Sequence, residues 1–289
     1  MKRREFLQTL IGVGSVSITV PSVLRALSDD ADALICNRKF ELAFARSLHT
    51  RPLGEVIMEI GRSFLGTKYL AHALEVPGEE RLVVNLRGLD CVSFCENALV
   101  LAHCVKLKKT TFEDYKAQLQ LVRYRGGIIN RYPSRLHYFT DWIHDNEKKN
   151  ILRDVTKEIG GEAYRKKINF MSTHVESYRQ LRENPEFVKV IEQQEAELSK
   201  RAFYYIPKEK MRQAEARILD GDLLAITTTI EGLDISHTGI AVHQTNRLYM
   251  MHAPDVGYRV TITELPLAEY LAKNKRQSGI IVARAVEPA

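Results

Sequence analysis

The stretch that decides the fold is Asp90–Val105, DCVSFCENALVLAHCV, read with Ser236–Pro254, SHTGIAVHQTNRLYMMHAP. The first is apolar almost all the way round, which predicts a buried helix. Asp90 is a good N-cap for it. Lys106, Lys108 and Lys109 end the run where positive charge suits a helix C-terminus. The second stretch is rich in β-branched residues and predicts two antiparallel strands, 237–243 and 248–253, joined by a tight link around Gln244, Thr245 and Asn246.

The flanking sequence extends this reading. Residues 54–65, GEVIMEIGRSFL, have helical periodicity; LGTKYL, a polar EVPGEER loop and a short apolar LVVNL run lead to Asp90. Residues 112–218 are rich in charge and mostly helical in pattern, with candidates at 112–123, 136–149, 174–200 and 208–218. A non-periodic stretch, RGGIINRYPSRLHYFTDW, separates them, its Gly126-Gly127 and Pro133 marking loops. The C-terminal part reads as short strands: DLLAITTTI, SHTGIAVHQ, RLYMMHAP, YRVTITEL and GIIVARAV. Helices first and strands last predict an α+β fold, a central helix packed on an antiparallel sheet with a mostly helical insertion at about 110–218.

The 289 residues are 45% hydrophobic and 27% charged, an ordinary globular composition. The N-terminus differs. Lys2, Arg3 and Arg4 precede an uncharged stretch from Thr9 to Leu24 that is too short and too weakly apolar to span a membrane. It fits a signal peptide, and Arg3-Arg4-Glu5-Phe6-Leu7 resembles a twin-arginine export signal. Residues 1–28 are therefore expected to be an export signal cleaved after Ser28. Residues 29–289 are then a single periplasmic catalytic domain without a membrane span. Half of the formal charge of +6 belongs to residues 1–28, and no Lys/Arg run of nucleic-acid type is present.

Cys91, Cys95 and Cys104 fall in the one helical segment, poorly placed to bridge one another. No CxxC pair occurs, so no structural zinc is expected, nor any cofactor. Cys91 is the candidate nucleophile. Just inside the N-cap, its thiol would meet the positive end of the helix dipole and unpaired backbone N–H groups, which favour thiolate and can hold an oxyanion. His237 starts the strand and is the candidate base. Gly239 and Ala241, on its face, are expected to leave room for the helix. A two-residue loop at Gln244-Thr245 would set His252 opposite His237; one at Thr245-Asn246 would set it one diagonal away on the same face. Either way His252 could orient the His237 ring. His243 lies further down that face and reads as structural.

The order LGTKYL, LDCVSF, DGDLLA with SHTGIAV, then MMHAP resembles the NlpC-type branch of papain-like cysteine peptidases. The resemblance implies Cys91 as nucleophile, His237 as base, His252 as third residue and Tyr69 at the oxyanion site. It covers about 54–105 and 219–285. VNLRGLDCVSFCENAL, SRLHYFTDWI and LDISHTGIAV are similar to a subgroup of N-acetylmuramoyl-L-alanine amidase-like proteins. That similarity implies hydrolysis of the amide between muramic acid and L-alanine in peptidoglycan fragments, with Arg135, His137 and Tyr138 helping to build the substrate pocket. Asp90 serves as cap, substrate contact or both. Val92-Ser93 stand where the family has Ser-Gly after the cysteine, and Lys68 stands where Pro usually precedes the tyrosine. The alternatives are a D-glutamyl–diaminopimelate endopeptidase or thioester acyltransferase on the same residues, and a non-catalytic wall-binding protein.

Overall fold

The computed structural model describes residues 22–289. Residues 1–21, most of the expected export signal, lie outside the described residues. A helix, α1 (Ser22–Ala45), runs through the expected cleavage position after Ser28. Its Cys36, Phe40 and Ala43 join the main core. Among the described residues no helix is long and apolar enough to cross a membrane.

The architecture is mixed α+β. After α1 come α2 (Leu53–Arg62) and a parallel pair of two-residue strands, β1 (Lys68–Tyr69) and β2 (Gly88–Leu89). The central helix α3 (Cys91–Leu107) follows, buried from Ser93 to Val105. It is apolar on all sides because α1, α2, α4 (Phe112–Arg123) and the sheet enclose it. Asp90 caps it as expected. At its other end Lys108 takes a left-handed conformation, φ 56°, and stops it.

The main sheet has eight strands, all antiparallel. Its spatial order is β4 (Glu162–Tyr164), β5 (Phe203–Pro207), β10 (Gln277–Ala285), β6 (Leu223–Thr228), β7 (Ile235–Gln244), β8 (Arg247–His252) and β9 (Thr261–Ile262). β3 (Leu152–Asp154) pairs with another part of β10. One face of the sheet, with Thr238, Ile240, Val242 and Met251, turns toward α3 and α2. The opposite face, with Leu224, Ile226, Ala241 and Met250, forms a second core with α7 (Leu267–Ala272).

The segment expected to be a mostly helical insertion is largely helical but carries strands as well. It supplies α4, α5 (Phe139–Lys148) and α6 (Pro185–Lys200), but also strands β3, β4 and β5, which extend the main sheet. These strands have three to five residues, too few for a period-2 pattern to register in sequence. The helix expected over 174–200 is broken before α6. Pro185 lacks the N–H an uninterrupted helix needs, and Asn184 ahead of it is non-helical.

The insertion is bolted to α3 by a buried ion pair. Arg123 Nε donates to Glu96 Oε2 at 2.8 Å, and Arg123 Nη1 donates to the Val83 carbonyl at 2.5 Å. Both side chains are almost wholly buried. Leaving either charge alone in the core costs about 3–5 kcal/mol. Arg123→Ala is therefore expected to lower the urea-unfolding free energy by about that amount. The double change Glu96→Leu with Arg123→Leu should recover most of the loss.

Candidate active site

Two separate anchors fix the entrance of α3. Asp90 and Ser93 form a capping box: the Ser93 N–H donates to Asp90 Oδ1 at 2.7 Å, and Asp90 N–H donates to Ser93 Oγ at 2.9 Å. Further back, buried Asp32 of α1 accepts the Leu86 N–H at 2.9 Å and pairs with Arg87 at 3.2 Å. The chain thus reaches Cys91 along β2 with little freedom. β1 lies beside it, with Tyr69 in register with Leu89.

β7 meets this entrance directly. The fully buried Thr238 hydroxyl donates to the Cys91 carbonyl at 2.7 Å. The Thr238 hydroxyl and backbone N–H also interact with the Cys91 sulfur. The thiol therefore sits against the peptide unit that joins His237 to Thr238.

A β-bulge aims His237. Ile226 pairs with His237, but Thr227 pairs with Ile235, so Ser236 is the extra residue. Bulges of this kind bend a strand and redirect a side chain next to a site. His237 Nε2 and His252 Nδ1 are 2.7 Å apart, their rings nearly perpendicular with centroids 4.9 Å apart. Nδ1 of His237 makes no hydrogen bond among the described residues. The β7–β8 turn is Thr245-Asn246, both left-handed (φ 47° and 59°), which sets Gln244 opposite Arg247. Of the two registers considered, this is the diagonal one.

The expected face is corrected. The helix packs on the Thr238, Ile240 and Val242 side, not on the side of Gly239 and Ala241. A Cβ on Gly239 would collide with Met250, not with the helix. The Thr238 contact sets Cys91 beside the backbone at the mouth of the strand, one residue from His237 in sequence.

The electrostatics of the site are dominated by burial. Burial pushes the Cys91 thiol up to about 11, and the Asp90 carboxylate adds to this. The hydrogen bonds from Thr238 and from the Cys91 backbone lower it only in part. Burial thus opposes the pull of the helix terminus toward thiolate. Burial holds His237 down to about 4, opposed by the Asp255 carboxylate. Burial and then His237 hold His252 down to about 3. Burial, with the charges of Cys91, Asp90 and Asp255, pushes the Tyr69 phenol up. At neutral pH all four groups are uncharged.

The other expected site residues are spent elsewhere. Buried Arg135 donates to the Leu74 carbonyl at 3.0 Å and to Glu75 Oε1 at 2.6 Å, and lies over the Tyr132 ring. His137 Nε2 bonds the Tyr132 carbonyl at 3.0 Å. The Tyr138 hydroxyl donates to Glu195 Oε1 at 2.6 Å and accepts the Met171 N–H. These contacts tie the insertion to itself and to the loop between Tyr69 and Cys91. These three residues, expected to help build the substrate pocket, are thus held by internal hydrogen bonds. Asp90 Oδ1 is likewise occupied, by Ser93. His243 bonds Asp220 at 2.8 Å, consistent with its structural reading.

Sequence reading missed three residues: Thr238, Ser236 and Asp234. Buried Asp234 accepts the Thr140 N–H at 2.9 Å and its hydroxyl at 3.0 Å, so α5 holds the chain three residues ahead of His237. Ser236 and Thr238 flank His237 in sequence, but their roles depend on a bulge that periodicity does not reveal. Among the described residues no group of three or more His, Cys, Asp or Glu could hold a metal ion.

A family model described as AmiA-like, N-acetylmuramoyl-L-alanine amidase-like, matches residues 59–280. The chain belongs to this family. The match runs through the insertion, which is therefore part of the family's body. Among solved structures, the chain is similar to an N-acetylmuramoyl-L-alanine amidase from Bacteroides uniformis ATCC 8492. The two are 36% identical with a TM-score of 0.78, over 81% of this chain and 98% of that one. A Bacteroides fragilis protein with a provisional xylanase name is also 36% identical, with a TM-score of 0.74 over 78% and 98% of the two chains. Protein LPG0564 from Legionella pneumophila str. Philadelphia 1, of family model DUF1460, is 20% identical with a TM-score of 0.66 over 90% and 96%; at that identity the likeness speaks for fold alone. No curated protein matches the chain.

Cys91 is the one partly exposed cysteine; Cys36, Cys95 and Cys104 are buried. Its alkylation by iodoacetamide should be slow at pH 7 and climb steadily with pH toward about 11. Mass-mapped labelling rates across pH check this. A rate already on its plateau at neutral pH would contradict the buried, protonated thiol.

Proposed function

We propose that this AmiA-like protein is a cysteine amidohydrolase of the NlpC-type, papain-like class. Its substrate is the amide between N-acetylmuramic acid and L-alanine in muropeptides. The observation that carries the reading is the joining of Cys91 to His237 through Thr238, with His237 Nε2 already bonded to His252. The family assignment and the amidase name of the Bacteroides uniformis relative supply the bond and the substrate class.

The chemistry follows from the neutral pair. With the His237 Nε2–H donating to His252, Nδ1 is left bare as the base. The Cys91 proton passes to Nδ1 as the sulfur attacks the lactyl carbonyl carbon. Holding the two charges apart only during attack avoids the cost of a resting ion pair in a buried site. The Tyr69 hydroxyl, kept protonated, and the Cys91 N–H steady the oxyanion. The C–N bond then breaks, and His237 delivers its proton to the departing L-alanine amine. Water, losing a proton to His237, cleaves the thioester, releases the lactyl carboxylic acid and restores the thiol. The basic, apolar N-terminus supports placing this reaction in the periplasm.

Cys91→Ala and His237→Ala should each lower kcat at least 10³-fold on N-acetylmuramoyl peptides, and His252→Ala about 10²-fold. Mass spectrometry of the products should find a peptide beginning with L-Ala and a sugar bearing a free lactyl carboxylate. The kcat/KM of the wild type should fall as pH drops through about 4, where His237 takes a proton and ceases to be a base. Release of a fragment cut beyond D-glutamate would instead establish the endopeptidase.

A further inference from the structure

The loop that leaves β8, Pro254–Arg259, is unlike the rest of the surface. Val256 and Tyr258 are large apolar residues, 81% and 66% exposed. Tyr258 is also left-handed, φ 55°, directly after Gly257 at φ 90°. That conformation is unfavourable for an aromatic residue, and a glycine or asparagine would adopt it more easily. So exposed a ring regains little of the cost by packing within the chain.

The backbone beneath the ring is held firmly. The Tyr69 N–H donates to the Tyr258 carbonyl at 2.8 Å, Val260 N–H donates to Thr67 at 2.8 Å, and Gly66 N–H donates to Val260 at 2.9 Å. Arg259 Nη1 donates to the Gly66 carbonyl at 3.1 Å. The exposed ring is thus mounted on the strand that carries Tyr69. The Asp255 carboxylate, in the same loop, lies within electrostatic reach of both His237 and Tyr69. Leu70, 44% exposed, continues the apolar rim on the other side of Tyr69.

Strained backbone on a firm frame beside a reactive group is where ligand contacts gather. We infer that Tyr258 is a platform for a sugar ring, its aromatic face lying against the apolar C–H face of the muramic acid pyranose. Asp255 would accept from a sugar hydroxyl or the acetamido N–H. The identity of the sugar rests on the amidase reading above; the platform itself does not require hydrolysis. A ring face and a rim carboxylate suit a pyranose, which offers a flat apolar side edged with donors. Tyr258 would then set specificity for a sugar-bearing acyl group, whereas Cys91 and His237 act on the amide.

Two measurements separate the platform from the chemistry. In the first, N-acetylmuramoyl-L-Ala-D-Glu is compared with lactoyl-L-Ala-D-Glu, which has the same amide and no sugar. Tyr258→Ala should raise KM about tenfold for the sugar substrate, leave kcat nearly unchanged, and leave the lactoyl substrate as in wild type. Tyr258→Trp should restore the sugar KM. In the second, the N-acetylglucosaminyl-N-acetylmuramic acid disaccharide is titrated calorimetrically into Cys91→Ala protein. Adding Tyr258→Ala should weaken binding about tenfold. Tyr258→Gly, which relieves the backbone, should weaken it equally without lowering the Tm, so that misfolding does not explain the loss. Equal affinity in all forms, or no disaccharide binding by Cys91→Ala, would overturn the platform. Disaccharide binding that depends on Tyr258, in a wild-type protein that cleaves no muropeptide, would keep the platform and remove the amidase reading.

Discussion

One buried hydrogen bond, from the Thr238 hydroxyl to the Cys91 carbonyl, joins the two halves of the site. The helix start and the strand mouth come from distant parts of the sequence. Each is well made on its own: a capping box holds the first, and a β-bulge with a type I′ hairpin shapes the second. Neither reaches the other by itself. The hydroxyl can join them because Cys91 is the first residue of the helix and its carbonyl, with two lone pairs, can take a side-chain donor in addition to its helical bond. Buried away from water, such a bond is costly to lose, which makes the contact a fixed point.

Burial sets the chemical character of the groups around that point. A helix N-terminus and hydrogen bonds pull the thiol toward ionisation, but the dry surroundings and the Asp90 charge push it further the other way. The same dryness keeps both imidazoles neutral. Burial acts on the Tyr69 phenol as well, pushing it up.

The insertion supports this geometry from two sides. Arg123 grips Glu96 within the central helix and Val83 in the approach loop. Thr140, at the start of α5, is held by Asp234 just ahead of His237. Arg135 ties in the loop that follows Tyr69. Arg135, His137 and Tyr138, which resembled pocket-builders in sequence, also make buried polar ties.

Much of this protein was legible in one dimension. The buried helix, its Asp90 cap, the β7–β8 hairpin and the meeting of His237 with His252 all follow from local rules: apolar periodicity, capping preference and the two-residue alternation of strands. Such rules act over a few neighbouring residues, so a sequence carries them openly. Tertiary structure alone decided which face of the sheet the helix covers, because Gly239 and Ala241 on one side and Ile240 and Val242 on the other both suit burial. It alone decided the bulge at Ser236, the short strands β3, β4 and β5, and the burial of Arg135 and Tyr138. It also decided the desolvation of Cys91, which depends on everything packed around the sulfur and is written in no single segment of the chain.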